Sequence, residues 1–449
     1  MITERTLLEL LMPCWALWAQ HVPAPRPPWW GKGLRRILAL AFALVGRLAF
    51  DLRVRGLENF SNAPTTLIIC NHKTDFDIVL LAPTLYRSHR DRGPIAHLAF
   101  VAAERMFQPA YFSDYLLPHP AWLSRLLYPV NLSGVLQALH AYPIPRAHDR
   151  KLGAYLREIL ALKGDLPLEA VFREEPQKAL PGVPSDARLS EVLAWAYHES
   201  LYIDRDFSLF VPHLERELKA RHLNEILTSL ARFAAILDEG DPVFLAPEGG
   251  LSADGSFGEI KAALGRIVQM TARELVLLPV NLTYDFMTTG RKTAFLTIGQ
   301  ELRDVKGWGR ERLESQTERA ISMLGTVTLG QLAAAILQEA TSQGRSEVSE
   351  RELKEQIQRE AARLAFKEGY RVDERLLQAG AFERRWRRFV AYCRHKKLLY
   401  WQGDRVAFEQ AWVLSSNREV GTAVSPWVYS ANELGEIVKA HTVPELAQH

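Results

Sequence analysis

The sequence predicts an α/β fold over residues 53–304, a mixed sheet flanked by helices. Three observations predict it. Short apolar runs of strand length recur along this stretch, and segments with helical spacing of apolar residues separate them. The composition, 48% hydrophobic and 24% charged, is that of a chain able to build a core. The length of 449 residues leaves room beyond one such domain for further segments on either side.

Residues 1–52 come first, and they predict helices that contact a membrane. An apolar run at 7–18 is interrupted by Pro13, a Pro- and Trp-rich stretch follows at 21–30, and a second apolar run fills 37–46. Lys32, Arg35 and Arg36 precede the second run and Arg47 follows it. A bilayer span needs about 20 apolar residues, and neither run reaches that. A signal peptide would begin with basic residues, whereas Glu4 precedes the first run. Apolar side chains dipped into the interface, with tryptophans and arginines at the headgroups, fit the pattern; packing of the same helices on the domain is the alternative. The location this implies is peripheral, on the cytoplasmic face of a membrane. The three scattered cysteines, Cys14, Cys70 and Cys393, suit a reducing compartment.

Within 53–304 the strand-like runs are 65–70, 97–102, 243–246, 276–282 and 294–298. Helical spacing appears at 77–86, 150–162, 223–237 and 260–271. The stretch from about 163 to 222 interrupts the alternation. Its first half holds Pro167, Pro176, Pro181 and Pro184, and 189–202 and 214–222 look helical, so it reads as an insertion. Residues 305–449 form a mostly helical C-terminal region. It contains a helix at 328–340 and a capping box, Ser349 with Glu352, opening a helix that carries Leu353, Ile357 and Leu364 on one face. The basic run of Arg384, Arg385, Arg387 and Arg388 predicts a solvated helix face, or else a lipid-facing patch.

Several chemistries are excluded. A net charge of +3 gives no footing for nucleic acid. There is no Cys-x-x-Cys pair, no His-Glu-x-x-His helix and no Walker loop, so no metal or nucleotide motif is present. No Gly-x-Ser-x-Gly elbow supports a serine hydrolase.

The chemistry-bearing feature is His72 with Asp77, five residues apart after the first apolar run. An imidazole beside a carboxylate takes a proton from a hydroxyl near neutral pH. Five residues along a continuous helix turn by about 500°, which would separate the two side chains. They meet only if His72 lies in the turn after a strand and Asp77 in the first turn of the next helix. Asp77 would then fix the imidazole tautomer. Asp75 competes as a carboxylate and reads as a helix-entry charge. No serine nucleophile is evident nearby, so the activated hydroxyl would belong to a substrate. Elsewhere, Glu248 follows an apolar run in a Pro-Glu-Gly turn, where it can hold acceptor hydroxyls or brace the loop. Gly249 and Gly250 permit a tight turn or a close backbone approach to a ligand.

The run from Asn71 to Asp77, with four residues between His72 and Asp77, resembles the first motif of the glycerolipid acyltransferase superfamily, the His-x4-Asp type. Residues 141–146, ending in Arg146, resemble its second block; 243–249, ending in Pro247, Glu248 and Gly249, its third; and 277–281, with Pro279, its fourth. The order agrees, and the resemblance covers about 53–300 without the insertion. It implies an O-acyltransferase that moves a fatty acyl group from an acyl-CoA or acyl-carrier-protein thioester to a glycerol-phosphate-type acceptor, with no cofactor beyond that donor. His72 and Asp77 would be catalytic, with Arg146, Glu248, Gly249, Gly250 and Lys261 binding substrate. Arg146, a planar fork of donors, would meet the acceptor's phosphate. Backbone N–H groups around the histidine turn would stabilise the oxyanion.

One departure bears on the acceptor. The family's third block usually continues Glu-Gly-Thr-Arg-Ser, and here Leu251 stands in the place of the arginine. Segments at 326–337 and 427–432 are similar to those behind the catalytic domain in glycerol 3-phosphate and dihydroxyacetone phosphate acyltransferases, which favours those acceptors. A lysophosphatidate or other lysophospholipid acyltransferase is the alternative, and a catalytically silent lipid-binding scaffold a further one. Besides donor and acceptor, the expected partner is a membrane lipid surface.

Overall fold

The computed structural model describes residues 23–60, 65–74, 76–90, 98–107, 131–145, 150–194, 199–202, 206–410, 413 and 425–442. The apolar run at 7–18, Asp75 and Arg146 lie outside these residues. The strands in chain order are β1 (Phe50–Arg55), β2 (Thr66–Cys70), β3 (Ala99–Ala103), β4 (Ala141–Ile144), β5 (Val243–Leu245), β6 (Val276–Asp285), β7 (Lys292–Ile298), β8 (Glu347–Ser349), β9 (Tyr400–Gln402) and β10 (Arg405–Ala407). The helices used below are α1 (Gly31–Ala49), α2 (Asp77–Arg90), α3 (Leu152–Lys163), α4 (Pro212–Glu239), α5 (Ala263–Met270), α6 (Leu329–Ser342), α7 (Glu350–Ala362), α8 (Ala379–His395) and α9 (Pro426–Thr442).

The chain divides into two compact units, one of residues 1–35, 97–243 and 269–272, the other of 36–96, 244–268 and 273–449. In the second unit β1, β7, β6 and β2 lie side by side. β1 runs parallel to β7, and β2 parallel to β6, with Cys70 opposite Val280; β6 and β7 are antiparallel. This is a mixed α/β arrangement with parallel pairs in the majority. All ten residues of β6 are buried between its neighbours, the apolar Val276–Val280 first and then Asn281, Thr283 and Asp285 alternating with Leu282 and Tyr284. Pro279 survives in this central strand because the ladder slips beside it. Leu277 bridges Leu302, yet Val280 is opposite Ile298 rather than residue 299. The extra residue of this bulge lies where a proline has no N–H to give.

β1 is not among the strands the apolar runs predict. Its pattern alternates Phe50, Leu52 and Val54 with Asp51, Arg53 and Arg55, the signature of a half-buried strand at a sheet edge.

In the first unit, β3 and β4 pair in parallel. The proline-rich stretch beyond residue 163 packs with its flanking helices into a core of its own. Tyr155 and Leu156 of α3 join Leu168, Val183, Phe210 and Leu214 there. A single 28-residue helix, α4, covers both the 214–222 and the 223–237 helical stretches.

The C-terminal region packs α6, α7, α8 and α9 around Trp386 and Trp427, and adds a small antiparallel sheet in the order β8-β10-β9. Thr328 caps α6 in a full capping box with Gln331. Ser349 caps α7 by accepting the Glu352 amide. The basic run on α8 corrects the sequence expectation. Arg385 is buried, pairs with Asp285 of β6 and donates to Thr293 at 2.9 Å. Arg388 donates to the carbonyl of Thr289. Trp386 stands between them in the core, so helical spacing turns this side of the run inward and leaves only Arg384 and Arg387 exposed. Among the described residues no helix is long and apolar enough to cross a membrane.

Candidate active site

β2 ends at Cys70, and the side chain of Asn71 continues its ladder. Asn71 Nδ2 donates to the Leu282 carbonyl at 3.0 Å, and Leu282 N donates back to Asn71 Oδ1 at 2.8 Å. The chain leaves the sheet from this clamp, so His72 falls in the turn beyond the strand. Asp77 is the first residue of α2 and is almost wholly buried. Its Oδ2 lies 2.9 Å from His72 Nδ1.

Asp77 accepts more than the imidazole. Oδ2 also takes the Lys73 and Thr74 amides at 2.7 and 3.1 Å, and Oδ1 takes the Thr74 and Tyr284 hydroxyls at 3.0 and 2.6 Å. With donors on both of its oxygens the carboxylate acts as an acceptor, so the proton of the ring contact belongs to His72 Nδ1. The lone pair is then on Nε2. The His72 side chain keeps 34% of its surface exposed against 4% for Asp77, so a substrate hydroxyl has access to the ring. Burial, and then the Asp77 charge, push the Tyr284 phenol far above its usual range, so it stays a donor at any working pH.

A second carboxylate holds the turn from the other side. Glu248 is buried; Oε1 accepts His72 N at 3.2 Å and Oε2 accepts Gly258 N at 2.8 Å. Burial raises its pKa, and the two amides with the Lys73 charge oppose that rise. Gly249 adopts φ 71°, which only glycine takes freely, and closes the turn by donating to the Ala246 carbonyl at 3.0 Å. Ser252 N donates to the His72 carbonyl at 2.9 Å.

A cavity of about 590 Å³ is lined by Phe42 and Gly46 of α1, Phe50 and Leu52 of β1, and Val79 and Leu80 of α2, with none of the residues of the cluster in its wall. The Phe50 ring lies 5.7 Å from that of Tyr284 and 5.9 Å from that of Phe76. Arg47, Asp51, Thr84 and Arg291 line the cavity as well, so its wall is of mixed polarity.

The arrangement is a histidine base, oriented by a buried carboxylate and open on one ring nitrogen. Residues 51–116, which contain this dyad, match the family model described as Acyltransferase. The chain carries an acyltransferase domain. The match spans 66 of the 449 residues, and the His72 and Asp77 motif falls inside it. No curated protein sequence matches the acyltransferase. Among solved structures, the 1-acyl-sn-glycerophosphate (LPA) acyltransferase PlsC from Thermotoga maritima is similar over 71% of this chain and 94% of its own, with 15% identity and a TM-score of 0.31. Likeness at that level says nothing of the acceptor.

The structure brings His72, Asp77, Glu248 and Gly249 of the acyltransferase into one cluster. Gly250 follows in the same turn with open space around it. Lys261 contributes its amide, which donates to the Pro247 carbonyl at 2.9 Å, while its ammonium pairs with Glu259 at 3.0 Å on the exposed side. The expected oxyanion donors need correction. The amides of His72, Lys73 and Thr74 are all taken by Glu248 and Asp77, because the same contacts that fix the turn consume its N–H groups. Among the described residues no cluster of His, Cys, Asp and Glu is placed to hold a metal.

Sequence reasoning missed Tyr284, and read Asn71 only as the start of the first motif without a role. The signal for both was present: a hydroxyl-bearing aromatic three residues beyond the Pro279 block, and an asparagine at the strand's last step. Replacing Tyr284 by Phe removes one of two hydroxyl donors to Asp77 Oδ1. The expected result is a loss of about 1–2 kcal/mol in unfolding free energy and a fall of about 3- to 10-fold in kcat, checked by denaturant unfolding and steady-state assay.

Proposed function

We propose that this protein is an O-acyltransferase that transfers a fatty acyl group from an acyl-CoA or acyl-carrier-protein thioester to the hydroxyl of a glycerol-phosphate-type acceptor. The observation that carries it is the 2.9 Å contact between His72 Nδ1 and the donor-saturated carboxylate of Asp77, which leaves Nε2 as an accessible base. His72 Nε2 takes the proton of the acceptor hydroxyl as its oxygen attacks the thioester carbonyl. The tetrahedral intermediate expels the thiolate, which takes the proton back from the imidazolium. No protein side chain becomes acylated, and the thioester is the only co-substrate.

Glycerol 3-phosphate or dihydroxyacetone phosphate is the favoured acceptor, in the service of phospholipid synthesis; a lysophosphatidate is the alternative. Arg146 is assigned to the acceptor phosphate and Gly250 to the acceptor side of the loop. Glu248 supports the site by fixing the His72 amide. Lys261 is assigned to substrate binding, which requires its ammonium to leave Glu259. His72→Ala is expected to lower acyl transfer by about a hundred- to ten-thousand-fold, and near-normal transfer by the folded variant refutes the mechanism. The assay is run over glycerol 3-phosphate, dihydroxyacetone phosphate, lysophosphatidate and a neutral lysolipid. The greatest kcat/KM on lysophosphatidate overturns the favoured acceptor and leaves the mechanism standing.

A peripheral seat on the cytoplasmic face of a membrane is part of the same proposal. Ile37, Leu40, Leu44 and Leu48 recur at helical spacing on α1 and are all more than half exposed, with Arg36 before them and Arg47 before the last. A soluble helix seldom leaves such a stripe bare, and an interface rich in anionic lipid would take it. Leu40→Asp with Leu44→Asp is expected to weaken sedimentation with anionic vesicles by at least about tenfold. Unchanged sedimentation removes α1 as the anchor.

A further inference from the structure

The last helix of the described chain reaches the histidine turn. Glu433 of α9 lies 3.7 Å from the ammonium of Lys73, the residue next to His72, and the two side chains are only 7% and 6% exposed. Lys73 Nζ also donates to the Gly255 carbonyl at 3.1 Å and stands 5.6 Å from the centre of the Tyr429 ring. The other oxygen of Glu433 accepts from Gln331 Nε2 at 2.8 Å. Gln331 is itself locked, since it closes the capping box of α6 with Thr328. The carboxylate therefore cannot move without disturbing two helices.

A second route runs from α9 to the same turn. Asn432 Nδ2 donates to the Asp254 carbonyl at 3.1 Å. Gly255 sits at φ +90°, so close to α9 that a Cβ there would lie 2.1 Å from the Tyr429 carbonyl oxygen. Gly255 N donates to Ser252 Oγ at 3.0 Å, and Ser252 N donates to the His72 carbonyl at 2.9 Å. The helix thus holds the histidine from both sides, through Lys73 and through the 252–256 loop.

A buried ion pair is a poor device for stability alone, because desolvation offsets the attraction and an apolar pair of like size serves as well. What it does well is fix one arrangement among several. We propose that Glu433 is a positioning residue for acyl transfer: through Lys73 it sets the orientation of the His72 turn and makes α9 part of the catalytic centre. This rests on the acyltransferase mechanism above and extends it to a segment more than 350 residues away in sequence.

The test uses the full chain, with kcat and both KM values measured well below each variant's unfolding transition. Glu433→Leu strands the Lys73 charge and is expected to lower kcat about 10- to 100-fold while both KM values stay within about threefold. The double variant Lys73→Met with Glu433→Leu removes both charges, lets an apolar pair hold the same space, and is expected to recover kcat to within about fivefold of the parent. A residue that only stabilised the fold would lower the melting temperature and leave kcat alone. Unchanged kcat in folded Glu433→Leu, or a double variant as slow as the single, overturns the proposal. If Glu433→Leu does not fold, Glu433→Gln decides, since it keeps the shape and the Gln331 contact but loses the charge; unchanged kcat there overturns it. An active parent with an insensitive Glu433 defeats this inference alone. A parent that transfers no acyl group defeats the mechanism and this inference with it.

Discussion

The Asp77 carboxylate accepts five hydrogen bonds, from the His72 ring, the Lys73 and Thr74 amides, and the hydroxyls of Thr74 and Tyr284. Hydrogen bonds to a charged group contribute about 1.5–3 kcal/mol each, and an ionised carboxylate out of water requires them. The local structure follows from meeting that requirement. The turn must present two successive amides, the helix must begin at residue 77, and β6 must run far enough to bring a phenol alongside. Each condition also orients the imidazole. The group that makes His72 a base is therefore the group around which this part of the chain is folded.

Two further buried carboxylates extend the arrangement. Glu248 clamps the His72 amide to the 258 amide, and Glu433 meets Lys73. Burial raises the pKa of both, and the Lys73 ammonium, which acts on each, opposes the rise. Three acidic residues from α2, the loop after β5 and α9 thus converge on three consecutive residues, 72 to 74. The turn is fixed before any substrate arrives, which is what proton transfer at a set distance needs. The same economy leaves none of the three amides free for an oxyanion.

The parts of this that were legible in the sequence are those with a local period or a local pattern. The apolar runs at 65–70, 276–282 and 294–298 announce β2, β6 and β7, and the five-residue offset of His72 and Asp77 already demands a turn followed by a helix. The rest depends on partners distant in the chain. Arg385 reads as one member of a basic face, and only packing against Asp285 shows it as a core residue. Nothing around Glu433 marks it, since its meaning comes from a lysine 360 positions earlier. The alternation in β1 was visible, but charged residues at every second position hide a strand whose pairing with β7 is long-range.

The most direct test of direct transfer is a single-turnover experiment with a labelled acyl thioester, run with and without acceptor. The account predicts sequential kinetics, with thiol release only when an acceptor hydroxyl is present and no label retained on the protein. A stoichiometric burst of thiol without acceptor, accompanied by covalently labelled protein, would contradict it, because His72 would then be serving a protein nucleophile rather than the substrate's own hydroxyl.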